Sequence, residues 1–107
     1  MALAVVNMPS MTITGGGTTS NAVGLIDDSW GLTIYSPATI TNTITVEVEP
    51  TSTGTSFVTL QSGGTDVTIP AGKATVLNPI PFRQIRVKAA GAEGQQDVFT
   101  LTKVILT

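Results

Sequence analysis

The chain has no cysteine and no histidine among its 107 residues. Without cysteine, neither a disulfide nor a thiolate metal site can form, so packing and backbone pairing must hold the fold together. Without histidine, the chain lacks the commonest general base and the commonest metal ligand. We therefore expect no catalytic site, no metal site and no cofactor, and we expect that the protein is not an enzyme.

Charge is scarce as well, since 11% of the residues are charged, against roughly 25% in an ordinary soluble domain. Threonine supplies much of the remaining polarity, and its branched Cβ suits exposed positions on a pleated sheet. The net charge of −2 gives little long-range repulsion between copies. This composition favours a protein that works inside an assembly, and its acidic balance argues against nucleic acid as a partner.

Long hydrophobic runs are also missing. No apolar stretch approaches the roughly 18 to 20 residues of a membrane-spanning helix, so we expect a soluble protein with no membrane partner. The amino-terminal sequence MALAVVNMPS has no basic n-region, and its apolar run ends at Asn7. It is therefore predicted not to be an export signal.

Alternation of apolar and polar residues is the main structural pattern in the chain. In TNTITVEVEP, Ile44, Val46 and Val48 take every second position, which is typical of a half-buried strand. Strand signals occur at residues 22–26, 31–35, 44–48, 56–61, 65–69, 74–77, 83–89 and 97–106. With no sustained helical periodicity, the pattern predicts an all-β fold: a single antiparallel β-sandwich, or jelly-roll-like domain, of about eight strands.

The amino-terminal segment differs from the rest of the chain. Residues 1–20 carry no charge and end in the glycine-rich stretch from Thr14 to Ser20. A glycine run has little backbone preference and is typical of a hinge. We predict an arm over residues 1–20, which is either flexible or adds a strand to a neighbour's open sheet edge, and a sandwich domain over residues 21–107.

Glycine and proline mark the predicted turns. The stretch IPAGK has Pro70 and Gly72 where a tight turn needs them, and it predicts a hairpin. Gly63 and Gly64 offer the positive φ of a turn between paired strands. The stretch NPIPF, residues 78–82, cannot donate from either proline and is expected at an edge or corner.

The charged residues are unevenly placed, since every lysine and arginine follows residue 72 and five of the seven acidic residues precede it. Glu47 and Glu49 occupy the polar face of one predicted strand, and Arg86 and Lys88 occupy that of another. Together with Arg83, Arg86 and Lys88 form a small basic stripe. In one interpretation the two strands are neighbours and the charges pair across the sheet, at roughly 0.2 to 1 kcal/mol per pair. In the other, these residues form a contact between subunits, in which an acidic edge meets a basic edge of another copy. Because the two glutamates share one open face, we do not expect them to act as a glycosidase pair.

The stretch IDDSW places Asp27 and Asp28 beside Trp30, the only tryptophan. Two acidic groups are too few for calcium, which takes about six to eight oxygen ligands. In one interpretation the carboxylates are exposed in a turn and Trp30 is buried. In the alternative, Trp30 and Tyr35 form a platform on which sugars stack while Asp27 and Asp28 bind hydroxyls, although aromatic residues are only 5% of the chain.

From about Gly31 onward, the stretches GLTIYSPATITNTITVEVEPT, FVTLQSGGTDVTIPAGKA and PFRQIRVKAAG resemble small β-sandwich virion proteins of tailed bacteriophages, most nearly the capsid decoration, or cement, proteins. The resemblance implies a non-enzymatic protein of the virion, assembled in the host cytoplasm. Its partners would be the major capsid protein and copies of itself, as a homotrimer or higher oligomer, and the contact residues above would face them. Similar sequences occur in phage neck, tail and baseplate modules, which leaves a carbohydrate-binding or host-adhesion module as the alternative.

Overall fold

The computed structural model describes residues 2–25, 29–51, 54–78 and 82–106. These ranges contain strands and no helix, which confirms the all-β fold. The strands are β1 (Leu3–Asn7), β2 (Met11–Ile13), β3 (Val23–Gly24), β4 (Ser29–Tyr35), β5 (Ile44–Glu49), β6 (Val58–Thr59), β7 (Gln61–Ser62), β8 (Thr65–Asp66), β9 (Ala74–Leu77), β10 (Gln84–Ala89) and β11 (Asp97–Leu106).

The strands form two antiparallel sheets that pack face to face. Sheet one has the order β1-β11-β4-β9, with β2 also paired to β11, and sheet two has the order β3-β10-β5-β6. Strands β7 and β8 form a separate small hairpin. When β1 and β2 are taken as one edge, each sheet has four strands, and the chain crosses between the sheets in the sequence of a jelly roll.

Both sheets send alternate side chains into one core. The core residues of sheet one are Met11, Ile13, Leu32, Ile34, Phe99 and Leu101, and those of sheet two are Val23, Ile44, Val46, Val48, Ile85, Val87 and Ala89. Leu25, Ile69 and Phe82 add to it from the connections. Since the chain has no disulfide, burial of these side chains is the main source of its stability.

The amino-terminal segment adds strands to the sheet of its own chain. Strands β1 and β2 lie end to end along β11, at the edge of sheet one. Met11 and Ile13 of β2 are fully buried and belong to the core. The segment adds strands to a sheet, but the edge that it joins belongs to its own chain and not, as predicted, to a neighbour.

A change of face separates β1 from β2 at Pro9. Asn7 lies opposite Thr102 and Met11 lies opposite Phe99, so the β1–β2 segment has one residue more than the facing stretch of β11. Proline has no N–H for the ladder, and a slip of one residue turns the following side chains to the other face of the sheet. Odd-numbered side chains therefore point outward from β1 and into the core from β2.

The glycine-rich stretch from Thr14 to Ser20 carries the chain from sheet one to sheet two. Gly16 N–H donates to the carbonyl oxygen of Glu93 at 2.7 Å, and Ala89 N–H donates to the carbonyl oxygen of Thr18 at 2.6 Å. Gly16 has a φ of 85°, which other residues rarely adopt. The prediction of a hinge is wrong, because backbone bonds to two other segments fix this stretch.

The turn at IPAGK joins the two sheets and is not a hairpin. Before the turn, Ile69 N–H donates to the carbonyl oxygen of Ile44 in sheet two at 2.9 Å. After the turn, β9 pairs with β4 in sheet one. Gly72 does have a positive φ of 65°, but the segments on its two sides have different partners. A hairpin forms instead between β7 and β8, where Gly63 and Gly64 have φ values of 62° and 81°.

Candidate assembly surface

The outward face of sheet one carries no charged side chain at any described position. Strand alternation and register place these residues on it: Leu3, Val5, Asn7, Thr12, Thr33, Tyr35, Ala74, Val76, Val98, Thr100, Thr102 and Val104. The charged residues of the same strands, Asp97 and Lys103, occupy alternate positions that belong to the other face. We call this surface the uncharged face.

The uncharged face also carries most of the exposed large apolar side chains of the described residues. The exposed fractions are 59% for Leu3, 72% for Val5, 45% for Tyr35, 67% for Val76 and 40% for Val98, and Val58 of β6 is the exception on sheet two. Threonines lie between them. Exposed apolar surface of this kind, mixed with neutral polar groups, is typical of interaction sites. An uncharged partner could bind such a surface by apolar contact and hydroxyl hydrogen bonds without desolvating a charge.

The charged residues of the predicted contact belong to sheet two: Glu47 and Glu49 lie on β5, Arg86 and Lys88 lie on β10, and Arg83 directly precedes β10. These strands are neighbours, with Glu47 opposite Arg86 and Glu49 opposite Gln84. Arg86 Nε donates to Glu47 Oε1 at 2.7 Å, and the guanidinium carbon lies 4.1 Å from the centre of the Phe57 ring. The interpretation that the charges pair across the sheet is confirmed for Glu47 and Arg86.

Glu49 does not lie on an open face, and that part of the sequence interpretation is wrong. Its side chain is 0% exposed, and Glu47 is only 8% exposed. The loop after β5 folds back over the strand, so that the N–H groups of Gly54, Thr55 and Ser56 each donate to the Glu49 carboxylate at 2.8 Å. These bonds satisfy a charge that burial would otherwise penalise. The two glutamates are therefore internal groups and present no acidic contact surface.

Arg83 and Lys88 are the exposed members of the predicted contact set. The backbone N–H of Arg83 donates to the carbonyl oxygen of Glu49 at 2.8 Å and closes one end of the β5–β10 ladder. Lys88 lies toward the other end of the same face, opposite Thr45. The basic half of the predicted contact is thus on the surface, but its acidic counterpart on β5 is not.

A double-mutant cycle tests the ion pair between Glu47 and Arg86. We expect Glu47→Gln and Arg86→Met to show a coupling free energy of about 1 kcal/mol, because water screens a pair that is not fully buried. The side chains are 11% and 31% exposed, respectively. Urea unfolding of the four proteins measures the coupling, and a value of zero would show that the bond adds nothing to stability.

A second cluster of buried carboxyl groups, which the sequence did not indicate, joins Glu93 to Asp97. Glu93 is 1% exposed and Asp97 is 0% exposed. The Glu93 carboxylate accepts hydrogen bonds from the N–H groups of Thr41 at 2.9 Å and Asn42 at 3.0 Å, and from Asn42 Nδ2 at 2.6 Å. Thr39 Oγ1 donates to Asp97 Oδ1 at 2.6 Å. The cluster ties the loop between β10 and β11 to the loop between β4 and β5.

The two carboxyl groups of this cluster have opposite pKa shifts. Burial acts to raise the pKa of Glu93, but the hydrogen bonds from Asp97, Asn42 and Thr41 outweigh burial and lower the pKa from 4.5 to about 2. Burial raises the pKa of Asp97. The hydrogen bond from Thr39 acts to lower this pKa, and the neighbouring Glu93 raises it further. Asp97 Oδ2 is buried and accepts no hydrogen bond from the described residues. Shifts in these opposite directions favour Asp97 over Glu93 as the site of a proton shared between them.

Several predicted features lie outside the described residues. They are Asp27, Asp28 and the two prolines of NPIPF. Trp30 lies in β4, and the two interpretations of its ring, buried or sugar-stacking, concern a side chain that is likewise outside the description. Tyr35 is exposed on the uncharged face.

Neither a metal-binding cluster nor a membrane-spanning helix occurs in the described ranges. No cluster of three or more acidic side chains there is arranged to hold a metal ion. None of the described segments forms a helix long and apolar enough to cross a membrane.

Comparisons with known proteins give one distant likeness. No family model matches the chain, and no curated protein matches it in sequence. Among solved structures it is similar to a chain from Bacillus endospore appendages, described as a novel family of disulfide-linked pili. The TM-score is 0.49 and the identity 15%, over 97% of this chain and 86% of that chain.

Proposed function

We propose that the protein is a non-enzymatic structural protein of a tailed-bacteriophage virion, a capsid decoration protein that binds the major capsid protein and stabilises the shell. The observation that carries the proposal is the uncharged face of sheet one, where exposed aliphatic side chains and threonines share one face of the sheet. The jelly roll supports it by analogy, since viral capsid proteins use this architecture, as do proteins with other functions.

The size of the uncharged face indicates how such a protein would hold its partner. Four strands about 4.8 Å apart and about seven residues long span an area of roughly 400 Å². A stable binary complex buries about 800 Å² on each partner. One copy therefore binds weakly through this face, and firm attachment requires many copies on a symmetric shell or links between the copies.

The docking chemistry fits a partner surface that is itself uncharged. Tyr35 offers an exposed ring, and Thr33, Thr100 and Thr102 offer hydroxyl groups around it. With no charge on this face, binding should change little with ionic strength, unlike a contact built on ion pairs.

Thermal melting of shells tests the proposal. Purified capsids that lack the protein are melted alone, with the wild-type chain, and with the variants Thr100→Lys and Thr59→Lys. Both threonines are exposed strand residues, but Thr100 lies on the uncharged face and Thr59 on sheet two. We expect the wild type and Thr59→Lys to raise the melting temperature of the capsids and Thr100→Lys to leave it unchanged. Equal melting with and without the wild-type chain would contradict shell stabilisation.

A further inference from the structure

We infer that the two edges of sheet one pair with each other between copies of this chain, so that β1 of one copy continues the sheet of the next copy at β9. This inference does not depend on a capsid location. It rests on the backbone groups, side chains and strand directions of the two edges.

Both edges have outward backbone groups without a partner in the described structure. Met8 N–H donates to the carbonyl oxygen of Leu101 on β11 at 3.0 Å. Since residues in an antiparallel ladder alternate, the backbone groups of Leu3, Val5 and Asn7 point away from β11. At the other edge, Ser36 N–H donates to the carbonyl oxygen of Lys73 at 2.9 Å. By the same alternation, the backbone groups of Ala74 and Val76 point away from β4.

The two edges lack the features by which proteins prevent sheets from joining. Lysine, proline within the strand, bulges and very short strands are the usual protections. Neither β1 (LAVVN) nor β9 (ATVL) contains a charged residue or proline. By contrast, the edge strands of sheet two, β3 and β6, have only two residues each. Sheet one therefore has two open edges, and sheet two is protected at both.

The side chains of the two edges complement each other. The most exposed apolar residues of the uncharged face lie at its borders, with Leu3 and Val5 on β1 and Val76 on β9. Joining β1 to β9 brings these side chains together on the same face. Such cross-strand apolar pairs contribute roughly 0.2 to 1 kcal/mol each.

The strand directions favour a second copy of the chain as the partner. Every pair along β1-β11-β4-β9 is antiparallel, so β9 runs opposite to β1. A copy placed beside the sheet and turned by the rotation that sheet twist requires thus meets β1 with an antiparallel β9, which continues the ladder. This contact is smaller than the roughly 800 Å² per partner of a stable complex. We expect a dissociation constant on the order of 0.1 to 1 mM for one isolated contact.

Sedimentation velocity from about 10 µM to about 1 mM tests the inference, a range that brackets this weak affinity. The variants are Val5→Lys, which blocks β1, Val76→Lys, which blocks β9, and Val58→Lys on sheet two as the control. Circular dichroism of each variant checks that it folds. We expect the wild type and Val58→Lys to form oligomers with rising concentration, and each edge variant alone to remain a monomer.

An equimolar mixture of Val5→Lys and Val76→Lys gives the sharpest outcome. Each variant retains the edge that the other lacks, so the mixture should form heterodimers and nothing larger. A wild type that stays monomeric at all concentrations would overturn the inference. Dimers of either variant alone would also overturn it, because they would require pairing of two identical edges or contact through another surface. The absence of a heterodimer in the mixture would overturn it as well, because the intact β1 and β9 edges would then not pair.

Discussion

Replacing Glu49 with alanine is expected to lower the free energy of unfolding by about 3 kcal/mol, or the melting temperature by roughly 10 to 20 °C. The carboxylate is fully buried and accepts hydrogen bonds from the N–H groups of Gly54, Thr55 and Ser56. Alanine removes this common acceptor, and the loop that folds over β5 loses its attachment. Urea unfolding monitored by circular dichroism measures the change.

Glu47 supplies the matched control, since it lies two residues away on the same strand and face. Glu47→Ala removes an ion pair to Arg86, whose guanidinium can turn to water, and should cost about 1 kcal/mol. Glu49→Gln keeps the shape but places an amide group among N–H donors, so it should cost nearly as much as alanine. If Glu47→Ala destabilised the protein more than Glu49→Ala, the assigned role of the loop contacts would be wrong.

Glutamine at position 93 and asparagine at position 97 are expected to have opposite consequences at neutral pH. Glu93→Gln puts an amide group against the N–H groups of Thr41 and Asn42 and should cost about 3 kcal/mol. Asp97→Asn imitates the protonated acid: its oxygen can accept from Thr39 Oγ1, and its amide can donate to Glu93. This variant should be at least as stable as the wild type.

The same pair predicts a dependence of stability on pH. The pKa of Glu93 is lowered to about 2 in the folded chain, so its contribution is complete above its ordinary value of 4.5 and is lost as the pH falls towards 2. The pKa of Asp97 is raised from 3.8, so its contribution is present below that value and is lost as the pH rises through the raised folded value. The wild type should therefore lose stability on both sides of its optimum.

Denaturant unfolding at pH values from about 3 to about 9 separates the two groups, since this range spans the ordinary carboxyl titrations and neutrality. In Asp97→Asn, the free energy of unfolding should no longer fall as the pH rises above the optimum, but it should still fall in acid. Glu93→Gln should be less stable than the wild type at neutral pH and converge on it in acid. If Asp97→Asn were strongly destabilising at neutral pH, a shared proton could not be the state of the pair.

The regular strands were the part of the fold that the sequence predicted well. Strands β9 and β11 have the predicted bounds, residues 74–77 and 97–106, and β5 pairs with β10 as the charge pattern suggested. Alternation of side chains is a local property, so it can be read from the residues alone. The turn at Gly63 and Gly64 was also predictable, because its positive φ values depend on the glycines themselves.

The remaining features depend on contacts between distant segments. Glu49 looked exposed by alternation, yet the loop that follows its strand covers it. Glu93 and Asp97 meet groups in residues 39–42, more than 50 positions away. The face change at Pro9, which buries Met11 and exposes Val5, depends on the register with β11. Two signals for these features are present in the sequence. Pro9 interrupts an apolar stretch, and Glu49 is followed by a loop that contains Gly54.

The uncharged face was anticipated only in part. The low charge and high threonine content predict a neutral exterior, whereas the contact set predicted from the sequence consists of charged residues. The structure uses Glu47, Glu49 and Arg86 within the monomer and gathers the exposed apolar side chains on the other sheet. A reading of apolar residues that alternation assigns to solvent, such as Leu3, Val5 and Val76, would have located the surface more directly.

Mass spectrometry of purified phage particles that encode this chain tests the central proposal most directly. If the protein is a decoration subunit that works through a weak contact made many times, the particles contain it in a fixed and high ratio to the major capsid protein. Its absence from washed particles, or its presence at only a few copies per particle, would contradict the proposal.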